Sequence, residues 1–207
     1  MKPSPAYKII TPRLVLRCWQ PTDAQKLLDA ISASRDHLSR FLYWALDEPA
    51  DLQTKIDSIL LWQANFNLGK DFAYGVFSKD ESQVLGGCGL HIRSKFAWTR
   101  EIGYWIHKDY TGQGLATELT EALTKVGFEV DRLQRIEIHV DPENVASEKV
   151  IRKSGYTYEG TLRGLVQRPD GAFGDRMVFS MLASEYPSSP SAMIAIEAYD
   201  AYGRRLI

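Results

Sequence analysis

Two glycines at the start of a predicted helix carry the clearest chemistry in this sequence. Residues 104–111 read as an apolar strand with a polar end, and Gly112-Gln113-Gly114 then leads directly into an amphipathic helix. The first turn of a helix leaves backbone N–H groups without partners and holds the positive end of the helix dipole. A turn without bulky side chains at this point therefore predicts an anion site, most naturally for a phosphate or a pyrophosphate.

The glycine turn matches neither of two common nucleotide motifs. No Gly-Lys-Ser/Thr follows it, as a P-loop requires. The third glycine of the dinucleotide fingerprint is also missing. Taken alone, the turn has a plain structural explanation as well, because glycine lets a strand meet a helix tightly. The surrounding elements must therefore decide between the two interpretations.

Other residue types that often carry chemistry are scattered along the chain. Cys18 and Cys88 lie in apolar, strand-like segments far apart in sequence. This placement favours buried free thiols over a disulfide or a covalent acyl-enzyme. The histidines fall on separate predicted elements without the spacing of metal ligands, so we predict no metal site. They are His37, His91, His107 and His139.

Length, charge and hydropathy limit the classes of function. The chain has 207 residues and a formal net charge of −1, which gives no electrostatic reason to expect nucleic acid binding. No apolar run is long enough for a membrane span or a signal peptide. We therefore expect a cytoplasmic protein without a membrane or nucleic acid partner.

The pattern of apolar residues predicts one α+β domain over residues 1–186. Alternating apolar residues predict strands, and apolar residues three or four apart predict helices. The predicted strands are 13–19, 72–78, 83–93, 100–108, 134–140, 156–167 and 174–183, and the predicted helices are 23–33, 35–46, 51–68, 115–129 and 144–154.

Residues 187–207 are predicted to form a C-terminal extension. The segment begins with Pro-Ser-Ser-Pro and continues with an apolar stretch that contains a turn near Tyr202-Gly203. This pattern is typical of a β-hairpin. Such a hairpin can add to a sheet edge in this chain or in the second subunit of a homodimer. The alternative is a poorly ordered tail, which the apolar composition disfavours.

The order of elements and several motifs resemble the GNAT superfamily of acyl-CoA-dependent N-acetyltransferases. The resemblance covers residues 10–185 and is strongest to the subgroup that acetylates N-terminal amines of ribosomal proteins. It implies a mixed, mostly antiparallel sheet of six to seven strands, with helices on both faces and a splayed central strand pair. The motifs are Gly112-x-Gly114-x-Ala116, Val140 to Ser147 (VDPENVAS), Lys153 to Tyr156 (KSGY), Ile10 to Arg17 (ITPRLVLR) and Glu159 to Arg163 (EGTLR).

The resemblance assigns the glycine turn to the pyrophosphate of acetyl-CoA, which is the implied co-substrate. The pantetheine arm then pairs with the backbone of the preceding strand, and Asn144 contacts the CoA arm or caps its own helix. Thr111 stands where the family motif begins with Gln or Arg, so backbone N–H groups are expected to hold the phosphates. The implied donor-binding residues are Ile106, His107, Lys108, Gly112, Gln113, Gly114, Leu115, Ala116, Thr117 and Asn144.

For catalysis, the resemblance suggests Glu101 as the general base and Ser147 as the general acid. Glu101 has an alternative interpretation as a strand-edge carboxylate paired with a neighbouring arginine, and Ser147 as a small residue needed for packing or capping. Ile151 stands where many family members have a tyrosine. Residues 165–167 contain no carboxylate, although related N-terminal acetyltransferases have a glutamate there. These departures leave the acid and the base open.

The acceptor is predicted from energy and resemblance together. Deprotonation at pH 7 costs roughly 1 kcal/mol for an α-amine and roughly 4.6 kcal/mol for a lysine side chain. We therefore predict acetyl transfer from acetyl-CoA to a primary amine, preferring a protein N-terminal α-amine, with Tyr43 and Trp44 lining the acceptor cleft. The alternatives are a small amine or amino-acid acceptor, and a non-catalytic acyl-CoA-binding module.

Overall fold

A nine-stranded sheet organises the computed structural model, which describes residues 5–93, 96–168 and 171–207. The strands are β1 (Lys8–Ile10), β2 (Leu14–Cys18), β3 (Phe72–Ser78), β4 (Val84–His91), β5 (Thr99–Ile106), β6 (Arg135–Val140), β7 (Thr157–Gln167), β8 (Phe173–Leu182) and β9 (Glu197–Tyr199). The helices are α1 (Ala24–Leu38), α2 (Leu52–Asn67), α3 (Leu115–Glu129), α4 (Val145–Lys153) and α5 (Pro190–Met193). Short 3-10 helices include Tyr43–Asp47 and Lys108–Tyr110.

The sheet is mostly antiparallel, as predicted, but it is larger than the six to seven strands expected. Its order is β7-β8-β6-β5-β4-β3-β2-β1-β9, and only the β5–β6 pair is parallel. The additional strands are β1 and β9, which are three residues long and pair with each other through Ile9 and Ala198. β1 was not predicted because three residues carry almost no periodicity, whereas β9 lies in the C-terminal segment for which a hairpin was expected.

Helices cover both faces of the sheet because consecutive strand residues point in opposite directions. On β2, Val15 packs with α1 and α2, whereas Leu16 belongs to the larger core under α3. On β3, Phe77 and Val76 divide in the same way. Two apolar cores therefore hold the helical layers on opposite faces, as the predicted fold class requires.

The first helix differs from its prediction. Residues 23–33 and 35–46 were expected to form separate helices, but α1 runs continuously to Leu38 and a 3-10 helix follows at Tyr43–Asp47. No glycine or proline interrupts the chain between 33 and 35. Ser34 is buried, and its Oγ accepts a hydrogen bond from the Lys108 backbone N–H at 3.1 Å. A tertiary contact thus fixes α1 beyond the predicted break.

The centre of the sheet splits between β5 and β6. Their parallel pairing joins Thr99–Glu101 to Arg135–Glu137 and stops there, although β5 continues to Ile106 and β6 to Val140. The other edge of β5 stays paired with β4 as far as Ile106. The predicted splayed strand pair is therefore confirmed, and it opens a gap directly before the glycine turn.

The C-terminal segment packs against the same chain. β9 pairs antiparallel with β1, and Leu206 donates a backbone hydrogen bond to the Ala198 carbonyl at 2.7 Å. Lys125 on α3 donates to the carbonyls of Ala192 and Ile194. Among the described residues, no helix is long and apolar enough to cross a membrane.

Candidate active site

The glycine turn presents a row of backbone donors at the start of α3. Gly112 and Gly114 have φ values of 74° and 78°, in the left-handed region that strains other residues. A Cβ atom on Gly112 would meet nothing within 4 Å, so the turn faces open space. No acceptor in the described chain takes a hydrogen bond from the N–H groups of residues 112–117. The helix dipole adds positive potential at the same point.

The splayed edge of β5 supplies a second set of free backbone groups. Beyond Glu101, the groups of residues 102–106 that point away from β4 have no β6 partner. The N–H of His107 instead donates to the Leu85 carbonyl at 2.9 Å, and that of Lys108 donates to Ser34. The free edge thus ends at Ile106, because the chain turns into a 3-10 helix at His107 and Lys108. Of the three predicted pantetheine contacts, only Ile106 therefore lies on this edge.

A pair of hydroxyl groups bridges the gap between β5 and α4. Tyr104 Oη and Ser147 Oγ lie 2.6 Å apart and share a hydrogen bond. Asn144 caps α4, since its side-chain oxygen accepts from the Ser147 backbone N–H at 3.0 Å. Burial raises the pKa of Tyr104 to about 12, and the hydrogen bond with Ser147 opposes that shift.

Sequence reasoning missed Tyr104. Tyr104 alternates along the strand with Ile102 and Ile106, so the pattern indicates only another apolar residue that faces the core. The resemblance drew attention only to position 151, where the structure has a fully buried isoleucine. The available signal was the alternation itself, which places Tyr104 on the opposite face of β5 from Glu101.

Glu101 lies in a chain of carboxylates and imidazole on the other face of the split strands. Its Oε2 is 3.7 Å from His139 Nδ1, and His139 Nε2 is 3.0 Å from Glu137 Oε2. Of the two neighbouring arginines expected as partners, Arg93 and Arg100, Arg100 bonds Asp131 instead. The structure thus brings Glu101 together with two polar residues of β6 that the sequence interpretation did not connect to it.

Arg135 neutralises the outer part of this chain. It donates to Glu137 Oε1 at 2.7 Å and binds both carboxylate oxygens of Glu159 at 2.6 Å. These contacts, with a hydrogen bond from Ser180, lower the pKa of Glu159 to about 2. Arg135 thus pairs with Glu137 and Glu159, whereas His139 lies between Glu101 and Glu137.

Aromatic residues and cavities line the Glu101 face. Trp44 stands edge-on to Trp105 with ring centroids 6.4 Å apart. Arg35 holds the Trp44 segment by donating to the Leu46 carbonyl at 3.1 Å. A cavity of about 310 Å³ is lined by Ser39, Arg40, Tyr43, Leu46, Asp141, Glu143 and Arg168. Another of about 280 Å³ is lined by Arg93, Phe96, Trp98, Thr99, Arg100, Glu101, Arg135 and Glu137.

The remaining chemistry-bearing groups include two cysteines and His91. Cys18 and Cys88 are buried free thiols, and burial raises the pKa of both, that of Cys18 to about 11. His91 lies 3.0 Å from Asp71, on β4 directly opposite Glu101 of β5. Within the described residues, no cluster of three or more His, Cys, Asp or Glu side chains forms a metal site.

Comparison with known proteins identifies the family. The acetyltransferase (GNAT) domain model matches residues 13–157. "Probable N-acetyltransferase YjcK" of Bacillus subtilis (strain 168) is 28% identical over 171 residues, which cover 82% of this chain and 93% of that protein. The [ribosomal protein uS5]-alanine N-acetyltransferase of Escherichia coli (strain K12) is 24% identical over 190 residues, covering 88% and 94%.

The fold is also similar to that of solved acetyltransferase structures. RimL, a ribosomal L7/L12 alpha-N-protein acetyltransferase in complex with coenzyme A, aligns with a TM-score of 0.76 at 18% identity. The alignment covers 84% of this chain and 96% of that one. With the domain match, these relationships establish the family: the chain is a GNAT acetyltransferase that uses acetyl-CoA as its co-substrate.

Proposed function

We propose that this acetyltransferase modifies the N-terminal α-amine of a protein or peptide. The observation that carries the proposal is the division of polar groups between the faces of the split strands. The Tyr104–Ser147 hydroxyl pair lies on one face of β5, and Glu101 with His139 lies on the other. A donor and an acceptor that approach from opposite faces would meet in the gap between β5 and β6.

The donor follows the backbone groups already described. The pyrophosphate binds the N–H groups of residues 112–117, and the pantetheine arm pairs with the free edge of residues 102–106. Asn144 and Ser147 at the start of α4 then lie beside the thioester end. This path is supported by two separate sets of unpaired backbone groups, one at residues 112–117 and one on the free edge of residues 102–106.

Transfer is direct and needs one base and one acid. Glu101, aided by His139, takes a proton from the amine, directly or through water. The amine nitrogen forms a bond to the acetyl carbon, the C–S bond breaks, and the thiolate takes the Ser147 hydroxyl proton. Ser147 Oγ then regains a proton through water, which carries the second proton that the amine nitrogen loses. Tyr104 stays protonated because of its high pKa. It can therefore donate to Ser147 Oγ and leave the serine hydrogen free for the thiolate.

The nature of the base favours an α-amine. Removing a proton at pH 7 costs roughly 1 kcal/mol for an α-amine and roughly 4.6 kcal/mol for lysine. A partly exposed carboxylate–imidazole pair is sufficient for the smaller cost. The relative from Escherichia coli is named a [ribosomal protein uS5]-alanine N-acetyltransferase, and this name supports a protein acceptor here.

The test is a peptide panel with purified protein and acetyl-CoA. One set has free N-termini beginning with Ala or Ser, a second has blocked N-termini and internal lysines, and a third contains small amines. We expect free thiol release with the first set and an N-terminal acetyl group by mass spectrometry. Acetylation confined to lysines or small amines would contradict the proposal. CoA binding without thiol release from any acceptor would support a binding module instead.

A further inference from the structure

Arg13 reaches the glycine turn from the loop between β1 and β2. Its Nη1 donates a hydrogen bond of 2.7 Å to the Gln113 carbonyl. Its Nη2 lies 3.5 Å from the position that a Cβ atom on Gly114 would occupy. About half of the side chain is exposed. A guanidinium group therefore stands against the back of the proposed phosphate-binding turn, contributed by a segment 100 residues away.

A buried carboxylate holds Arg13 in this position. Glu118, in the first turn of α3, is 8% exposed. It accepts from Arg13 Nε at 2.5 Å, from the Arg13 backbone N–H at 2.8 Å and from Thr11 Oγ1 at 2.6 Å. Because several donors satisfy this carboxylate, the guanidinium orientation is fixed before any ligand arrives.

The contact with Gln113 controls the direction of the next N–H group. The peptide bond is planar and trans, so the carbonyl of Gln113 and the N–H of Gly114 point in opposite directions. Holding the carbonyl on the Arg13 side turns the Gly114 N–H toward the other side of the turn. Glycines at 112 and 114 would otherwise let this peptide rotate easily.

Thr111 does not supply a comparable contact. Its Oγ1 donates to the Lys108 carbonyl at 2.9 Å, which turns the hydroxyl into the preceding 3-10 helix. The hydroxyl of Thr111, the residue that begins the glycine motif, thus bonds within its own segment and not to the turn. Arg13 is the cation that the described structure places on this turn instead.

We propose that Arg13 is a positioning residue for the CoA pyrophosphate. It acts through the Gln113–Gly114 peptide, which it locks in the orientation that presents N–H groups to the anion, and it adds positive charge behind the turn. The proposal rests on acetyl-CoA as the donor and does not depend on which amine is the acceptor.

The experiment measures CoA binding in the absence of any acceptor. Calorimetric titrations with CoA and displacement titrations with pantetheine, which lacks the pyrophosphate, compare wild-type protein with Arg13→Gln and Arg13→Lys. Arg204→Gln is the matched control, because Arg204 also pairs through Nε with a buried carboxylate, Asp200, but on the C-terminal segment. Thermal melting of each variant confirms that it is folded.

We expect Arg13→Gln to weaken CoA binding about tenfold and to leave pantetheine affinity unchanged. Arg13→Lys retains the charge without the double contact, so it should lose less. Arg204→Gln should change neither affinity. Equal losses for CoA and pantetheine, or CoA binding within about twofold of wild type in Arg13→Gln, would overturn the proposal. If Arg13→Gln does not fold, the comparison is made with Arg13→Lys. A loss of CoA affinity that exceeds the loss of pantetheine affinity then supports the proposal, and equal losses overturn it.

Discussion

At the scale of single residues, the hydroxyl pair of Tyr104 and Ser147 is the most specific arrangement of the site. Ser147→Ala should lower kcat about tenfold to a hundredfold by removing the thiolate's proton donor. Tyr104→Phe should lower kcat less, because the serine remains. Steady-state rates at saturating acetyl-CoA and peptide measure both effects. Tyr158→Phe is the control, since its hydroxyl pairs with Thr161 at 2.8 Å within β7.

The high pKa of Tyr104 adds a pH signature to this prediction. A phenol with a pKa of about 12 stays protonated across the neutral range. The ratio of wild-type to Tyr104→Phe kcat should therefore be constant between about pH 6 and pH 10. A ratio that falls through this range would show that Tyr104 ionises there, contrary to its burial. An unchanged kcat in Tyr104→Phe would exclude the hydroxyl from the reaction.

Glu101 makes a separate prediction at the same scale. Glu101→Gln should lower kcat/KM for an N-terminal peptide about a hundredfold at pH 7. The deficit should shrink above about pH 8, because the α-amine is then neutral without help. The pH profile of kcat/KM checks this, with Glu197→Gln on β9 as a control. A deficit that stays constant with pH would assign Glu101 to structure or binding.

At the scale of elements, the start of α3 depends on the left-handed conformation of Gly114. Gly114→Ala should cost about 1–2 kcal/mol of unfolding free energy, since other residues are strained at positive φ. It should also weaken CoA binding by disturbing the turn. Gly69→Ala is a matched control, because Gly69 has a φ of 65° and open space around it at the end of α2.

Denaturant unfolding and CoA titration separate these two effects. Gly69→Ala should lose similar stability and bind CoA normally. If both variants bind CoA with wild-type affinity, the turn geometry at Gly114 does not contribute to the donor site. If both lose affinity equally, the loss reflects general stability rather than the phosphate-binding turn.

At the scale of the whole molecule, local patterns predicted most of the fold. The strong periodicity of α3 and the alternation of β6 reflect interactions that repeat along one element, and both elements lie where the sequence placed them. The contacts that were missed join distant segments. Arg13 with Gln113, Tyr104 with Ser147 and β1 with β9 arise only when the chain has folded.

The candidate site divides in the same way. The glycine turn could be recognised because its function depends on a backbone conformation that glycine adopts far more readily than other residues. The surroundings of Glu101 could not be recognised, because His139 and Glu137 join it through the register of two strands, in which Glu101 faces Glu137, 36 residues later in the chain. Sequence adjacency had suggested arginine partners, but Arg100 turns toward Asp131.

The split between β5 and β6 also bears on how such a protein can diverge. The proposed donor path uses mainly N–H and C=O groups, which every residue carries, so substitutions that preserve the chain's course leave it intact. The opposite face is built from side chains such as Glu101, His139 and Trp105. Substitutions on this face, whether natural or engineered, can therefore change which acceptor binds, while the donor-binding backbone on the other face stays the same.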